Sequence, residues 1–325
     1  MVSLKRLLGC MAIVLMLASC SMTPKSSGNP YEVMIVAEDS LWNGDLGKTI
    51  KETLGKSMPM LPQEEPTLHI SRVAPNHYDR ITNLFRNIVV IDINNHFTRA
   101  KMEYQRDVFS RPQLIVTLHG PSSDVVSEYL WDHCDELLNF ITTEEINREA
   151  RRLEDEHNIK FDKKVEEMFG CHMHIPADLK RMKIGKDFIW ATDDGISSIS
   201  SICIYSYPYA TERVFTEPAF LALRDTFMGR NIPGELPGSK MSTNHEFISV
   251  KDMTVQGHYV QECRGLWEMT IDAMGGPYVS HSQVDTINNK VIVVEGFVYA
   301  PDKMKRSMIR RLEAALYTLQ LPAKQ

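Results

Sequence analysis

One long helical pattern, opened by Pro121-Ser122-Ser123-Asp124 and reaching residue 158, separates two clusters of strand-like segments, and this arrangement constrains the fold more than any other feature. Val126, Leu130, Cys134, Leu137 and Ile141 keep helical spacing within it, and Ser122 or Ser123 supplies an N-cap. Before it, alternation and β-branched content predict strands at residues 32–37, 67–73, 87–93, 101–108 and 113–118, with a helix over 45–56. After it come strands at 187–192, 199–207, 246–251, 255–269, 278–284 and 290–299, with the Asp193-Asp194-Gly195 turn between the first two. Helices are predicted over 217–230 and 302–319; in the last, Met304, Met308, Leu312, Ala315, Leu316 and Leu319 form one apolar stripe. Strands that follow one another without crossover helices favour antiparallel pairing. Each cluster reads as strand, helix, proline turn, several strands and a closing helix entered through a proline, Pro121 in one and Pro301 in the other. The expected fold is α+β, with two similar two-layer α/β halves, mostly antiparallel sheets and an internal duplication. The first half spans residues 31–141 and the second 171–325. Residues 142–170 form a helical connector whose Glu144 to Arg148 and Arg152 to Glu156 spacings suit a solvated face.

The N-terminus addresses the chain. Lys5 and Arg6 precede an apolar run at residues 7–17, shorter than the ~20 residues of a spanning helix. Leu17-Ala18-Ser19-Cys20 then matches the bacterial lipobox, so residues 1–19 are expected to be a signal peptide and Cys20 the lipidated residue. Cleavage of an ordinary secreted protein near Ser19 is the competing reading. Each buried CH₂ contributes ~0.8 kcal/mol, so two or three acyl chains make a durable anchor. Residues 20–30 are polar, acid-free and rich in Pro, Gly and Ser, as in a tether. Ser21 and the lack of acids favour an outer-membrane lipoprotein facing the periplasm.

The formal charge of the full chain is −6, and loss of Lys5 and Arg6 makes it more negative, which argues against a nucleic-acid partner. Cys134, Cys171, Cys203 and Cys263 are widely spaced and fall at apolar positions, so buried thiols are expected rather than a disulfide framework.

Four stretches are candidates for chemistry. Cys171-His172-Met173-His174 splits its ligands between two strand faces, so a metal would need partners such as His69 or His119; no metal or other cofactor is expected. Tyr205, Tyr207 and Tyr209 alternate along one strand and could stack on a glycan or peptide, packing being the ordinary role of such residues. Gly275 and Gly276 before Pro277 allow a tight path with N–H groups free for an anion. Ser280 and His281 beside them evoke a nucleophile and base, yet strand neighbours point to opposite faces. Lys303, Lys305 and Arg306, with Arg310 and Arg311, crowd the start of the last helix and could meet a phosphate, lipid headgroup or acidic glycan, although solvated charge is the default.

Gly28-Asn29-Pro30-Tyr31-Glu32-Val33, Leu41-Trp42, Arg264-Gly265-Leu266-Trp267, the Ala273 to His281 segment, Val294-Glu295-Gly296-Phe297-Val298-Tyr299-Ala300-Pro301 and Arg311-Leu312-Glu313-Ala314-Ala315-Leu316-Tyr317 together carry a resemblance. The chain resembles an uncharacterised lipoprotein family of diderm bacteria catalogued as domain of unknown function 4837. The resemblance covers essentially the whole mature chain and implies a lipid anchor and a single family-wide domain, with no activity, substrate or catalytic residue to carry over. The expectation is a lipid-anchored envelope protein acting as a non-catalytic binding or scaffolding module for an envelope protein, peptide or glycan. The alternative is an envelope hydrolase with a site at residues 275–281.

Overall fold

The computed structural model describes residues 23–193 and 195–322. Cys20, with the rest of the expected signal, and Asp194 of the expected turn lie outside the described residues. The described residues form two compact units, residues 23–46 with Ser71–Val126, and Gly47–Ile70 with the described residues from Ser127 onward.

The first elements in chain order are β1 (Glu32–Val36), α1 (Asp39–Asn43), α2 (Asp45–Leu54), β2 (His69–Val73), β3 (Asn87–Ile93), β4 (Lys101–Arg106), β5 (Leu114–Gly120) and α3 (Ser123–Asp155). The strands make a five-stranded sheet of order β2-β1-β3-β5-β4. β1 runs parallel to β3, with Met34 opposite Ile88, and β3 runs parallel to β5, while β4 is antiparallel to β5. The expected antiparallel sheet is therefore mixed and mostly parallel. β4 lies at the edge, and the turn after it returns β5 to a place between β3 and β4. The buried runs at 33–36, 88–89 and 114–116 are those of central strands covered on both faces, a pattern that parallel pairing favours. Met34, Val36, Ile88 and Ile115 form one core cluster of this unit.

Part of the expected tether is bonded to this unit. Arg111 N donates to Pro24 O at 2.9 Å, Ser27 N to Leu84 O at 2.9 Å, and Arg86 N to Ser27 O at 2.9 Å. These loop backbone groups need partners, and the segment from Pro24 to Ser27 supplies them.

The second unit continues with α4 (Ile159–Phe169), β6 (Arg181–Gly185), β7 (Phe188–Thr192), β8 (Ile199–Pro208), α5 (Glu217–Asn231), β9 (Met241–Val255), β10 (His258–Met269), β11 (Gly275–Asp285), β12 (Lys290–Tyr299) and α6 (Arg306–Leu316). Its sheet has seven strands in the order β6-β7-β8-β12-β11-β10-β9, antiparallel at every pairing. Orders of 2-1-3-5-4 and 6-7-8-12-11-10-9 do not correspond, so the expected duplication is not borne by the topology.

Side-chain alternation divides the second unit into two cores. Ile202, Ile204, Ile292 and Val294 pack with Phe161, Ile309, Leu312 and Leu316 on one face. Cys203, Tyr205, Val291 and Val293 pack with Phe220, Phe227 and Met228 on the other. Thus α4 and α6 cover one face and α5 the other.

The expected connector is two helices. Asn158 caps α4 by accepting from Phe161 N at 3.1 Å, and the helix ends at Gly170 in the left-handed region at φ 69°. Phe161, Val165 and Phe169 are buried, so α4 belongs to the core. At the end of α3, Arg152 does reach Glu156 at 2.7 Å, whereas Arg148 turns to Glu145 at 2.5 Å in a buried pair.

Candidate functional site

The seven-stranded sheet holds most of the residues that the sequence singles out. Tyr205 and Tyr207 are buried on the α5 face, with Tyr205 stacked on Phe227 at 4.6 Å between ring centroids. Both fill space between sheet and helix, so they do not form an exposed stacking row. Burial pushes the Tyr205 phenol well above its ordinary pKa. Tyr209, past the strand end, is half-buried and reaches a ring cluster with Phe215 at 6.3 Å, which meets Tyr259 edge-on at 5.3 Å.

Gly275 and Gly276 open β11 rather than a free turn. They lie opposite Glu268 and Trp267 in the ladder with β10. A Cβ on Gly276 would stand 2.0 Å from the Val298 carbonyl oxygen, so close backbone approach, rather than anion binding, explains the pair. Ser280 and His281 are both fully shielded from solvent, and they point into different cores. The two cannot act as nucleophile and base. His281 Nε2 stands 3.6 Å from Glu262 Oε2, beyond hydrogen-bond distance, with the Tyr317 ring at 5.0 Å.

Each face of this sheet also buries a charge network that sequence reasoning missed. On the α5 face, Arg224 Nη2 donates to Glu295 Oε1 at 2.7 Å and Nε to Oε2 at 3.0 Å. Nη1 donates to Thr243 Oγ1 at 2.7 Å, Thr243 Oγ1 donates to Asp225 Oδ1 at 2.6 Å, and the guanidinium lies 3.9 Å from the Tyr278 ring centroid. Burial raises the Glu295 carboxyl above its ordinary pKa, and Arg224 opposes the rise. A neutral carboxyl would leave a buried guanidinium without its counter-charge, so the pair is ionised.

On the α6 face, Arg264 grips Glu262 through Nε at 2.9 Å and Nη2 at 2.8 Å, and it also donates to Glu313, which accepts from Arg310 Nη1 at 2.9 Å. Burial alone would raise the Glu262 and Glu313 carboxyls, but Arg264 more than reverses this and holds both below the usual range. The available signal was a lone charge inside an apolar run, Glu295 in Val293-Val294-Glu295-Gly296-Phe297, and the alternate spacing of Glu262 and Arg264 on one strand.

The cations at the last helix are engaged internally. Lys305 N and Arg306 N donate to the buried Glu65 carboxylate at 2.5 and 2.9 Å, so this distant residue caps α6. Lys305 Nζ reaches Gln63 Oε1 at 2.8 Å, Arg306 Nη1 reaches Pro66 O at 2.7 Å, and Lys303 Nζ reaches Ser197 Oγ at 2.7 Å. The expected anion patch is therefore tied to neighbours, and the helix begins at Arg306 because that is where its cap sits.

In the Cys171 to His174 stretch the split between faces is as the spacing predicts. Cys171 and Met173 enter the core, while His172 and His174 are half-buried on the other side. Burial lowers the His174 pKa, and His157 lowers it further. All four described thiols are buried and free.

Residues 158–318 match the family described as Domain of unknown function (DUF4837), and residues 26–154 match Domain of unknown function (DUF8532). The expected resemblance thus holds for the second part of the chain, and the first part matches a different family. No curated protein matches the sequence. Among solved structures, the Ran-binding protein Mog1p of Saccharomyces cerevisiae is similar over 46% of this chain and 86% of that one, with 12% identity and a TM-score of 0.28. A likeness of that size carries no argument about fold or function.

Proposed function

We propose that the protein is a lipid-anchored component of the cell envelope, held at the outer membrane through Cys20 and facing the periplasm, whose folded part is a binding or scaffolding module rather than an enzyme. The anchor rests on Lys5, Arg6, the apolar run at 7–17 and Leu17-Ala18-Ser19-Cys20. No helix among the described residues is long and apolar enough to cross a membrane. The observation that carries the non-catalytic reading is the enclosure of Ser280 and His281 within the sheet, on opposite faces. Groups that touch no solvent and do not face each other offer a substrate neither nucleophile nor base. The neighbouring Arg224–Glu295 and Arg264–Glu313 pairs are committed to each other, as structural ions are.

Three measurements test this. Palmitate is expected to label the wild-type chain in cells and to be lost in Cys20→Ser; equal labelling removes the anchor. Photo-crosslinking in intact envelopes is expected to recover a defined partner, while a fluorophosphonate probe leaves Ser280 unmodified in the folded protein. Modification of Ser280 would restore the hydrolase reading.

A further inference from the structure

The loop between α3 and α4 folds back on the segment that follows α4. Asn158 N donates to Ile175 O at 2.9 Å, Asn158 Nδ2 donates to Leu179 O at 2.6 Å, and His157 forms an antiparallel bridge with Pro176. These bonds set His157 against His174, with ring centroids 4.1 Å apart and planes inclined by 20°. Asp162, in the first turn of α4, reaches the same place. Ligand atoms of His157, Asp162 and His174 all lie within 4.8 Å of one another.

Each side chain has an electron pair to offer. His157 Nδ1 lies 3.0 Å from the Leu153 carbonyl, which can only accept, so in the neutral ring the proton sits on Nδ1 and Nε2 keeps its lone pair. His174 Nδ1 is buried with no hydrogen-bond partner among the described residues. The His174 backbone is held by the Thr318 hydroxyl, which accepts from its N–H at 2.9 Å. Asp162 Oδ1 accepts from Met173 N at 3.0 Å and stands 3.2 Å from His172 Nδ1, which leaves Oδ2 for a cation.

We propose that His157, Asp162 and His174 bind a divalent first-row transition-metal ion of the Zn²⁺ type. Two imidazoles and a carboxylate suit Zn²⁺ and its neighbours in the series, whereas Ca²⁺ and Mg²⁺ take oxygen donors. Around a tetrahedral ion with bonds of about 2.0–2.1 Å the donors sit about 3.3 Å apart, so the side chains close inward by roughly 1 Å on binding. Three protein ligands leave a position for water or an outside donor. His172 holds the Asp162 carboxylate from behind, in the way that outer hydrogen bonds orient metal ligands.

The test uses the untagged mature chain, stripped with a chelator and titrated with ZnCl₂ by calorimetry. One equivalent is expected to bind, with affinity falling at least about 10-fold in each of His157→Gln, Asp162→Asn and His174→Gln, and unchanged in His119→Gln. Absence of saturable Zn²⁺ binding by the wild type, or undiminished binding by a His157→Gln/His174→Gln double variant, overturns the site. Where a substituted chain fails to fold, NMR on the wild type decides. Zn²⁺ is expected to shift the His157 and His174 imidazole resonances and to leave that of His245 in place; shifts confined to other histidines overturn the proposal.

Discussion

The Arg224 guanidinium meets the Glu295 carboxylate at 2.7 Å with both side chains wholly shielded from solvent. Breaking such a pair leaves one buried charge uncompensated. Arg224→Met or Glu295→Gln is expected to cost about 3–5 kcal/mol in urea unfolding. The double variant Arg224→Met/Glu295→Leu should cost less than either single change, because no lone charge remains. A double variant as unstable as the two single losses added together would contradict this.

Glu65 caps α6 from far away in sequence, accepting from Lys305 N and Arg306 N. Glu65→Ala removes the acceptor from two helix N–H groups and is expected to cost about 1–2 kcal/mol. Thermal unfolding measures it, and an unchanged midpoint would show that the cap contributes nothing.

Two glycines separate strain from crowding. Gly170 takes φ 69° with nothing within 4 Å of an added Cβ, so Gly170→Ala meets only the left-handed penalty of about 1–2 kcal/mol. An added Cβ on Gly276 would fall 2.0 Å from the Val298 backbone oxygen, which cannot move without disturbing β12. Chemical denaturation should therefore rank Gly276→Ala well below Gly170→Ala in stability; the reverse order would refute the close-approach account.

Glu262 and Glu313 ionise more readily in the folded state than their unfolded value of 4.5. Their contribution is therefore complete above that value and is lost as pH falls through the lower folded value. The melting temperature should drop between about pH 5 and pH 3, and less steeply in a Glu262→Gln/Glu313→Gln variant. Equal slopes in the two proteins would assign acid sensitivity to other groups.

Burial pushes the Cys171 thiol up to about 12 and lifts Cys203 and Cys263 as well. Thiolate, the reactive form, is scarce in all three at neutral pH. A thiol reagent is expected to leave the folded chain unmodified at these positions and to modify all three in denaturant. Modification of Cys203 in the folded state would be incompatible with its place beneath α5.

The sequence was most legible where a pattern repeats locally. Residues 87–93 and 290–299 read as strands with the bounds that β3 and β12 show, and residues 45 and 217 mark the starts of α2 and α5. The long helix, read as reaching residue 158, ends at Asp155, and α4 is not distinguished within the 142–170 connector because the charges there keep helical spacing, although its cap Asn158 and Gly170 are both present. For the candidate site, alternation separated Ser280 from His281 and His172 from Cys171, since the period of two is local. Exposure was not legible. Alternation leaves a surface row open beside the more ordinary packing role of Tyr205 and Tyr207, and the position of α5 is what buries them.

By itself the sequence determined the kinds of elements and most of their places, because each depends on residues a few positions apart. Tertiary structure decided the rest. It made the first sheet mostly parallel and the second antiparallel, joined Arg224 to Glu295 across 71 positions, placed the Glu65 carboxylate on α6, and folded His157 onto His174. Those outcomes depend on which distant segments bury each other's apolar faces and satisfy each other's polar groups, and no local period encodes that choice.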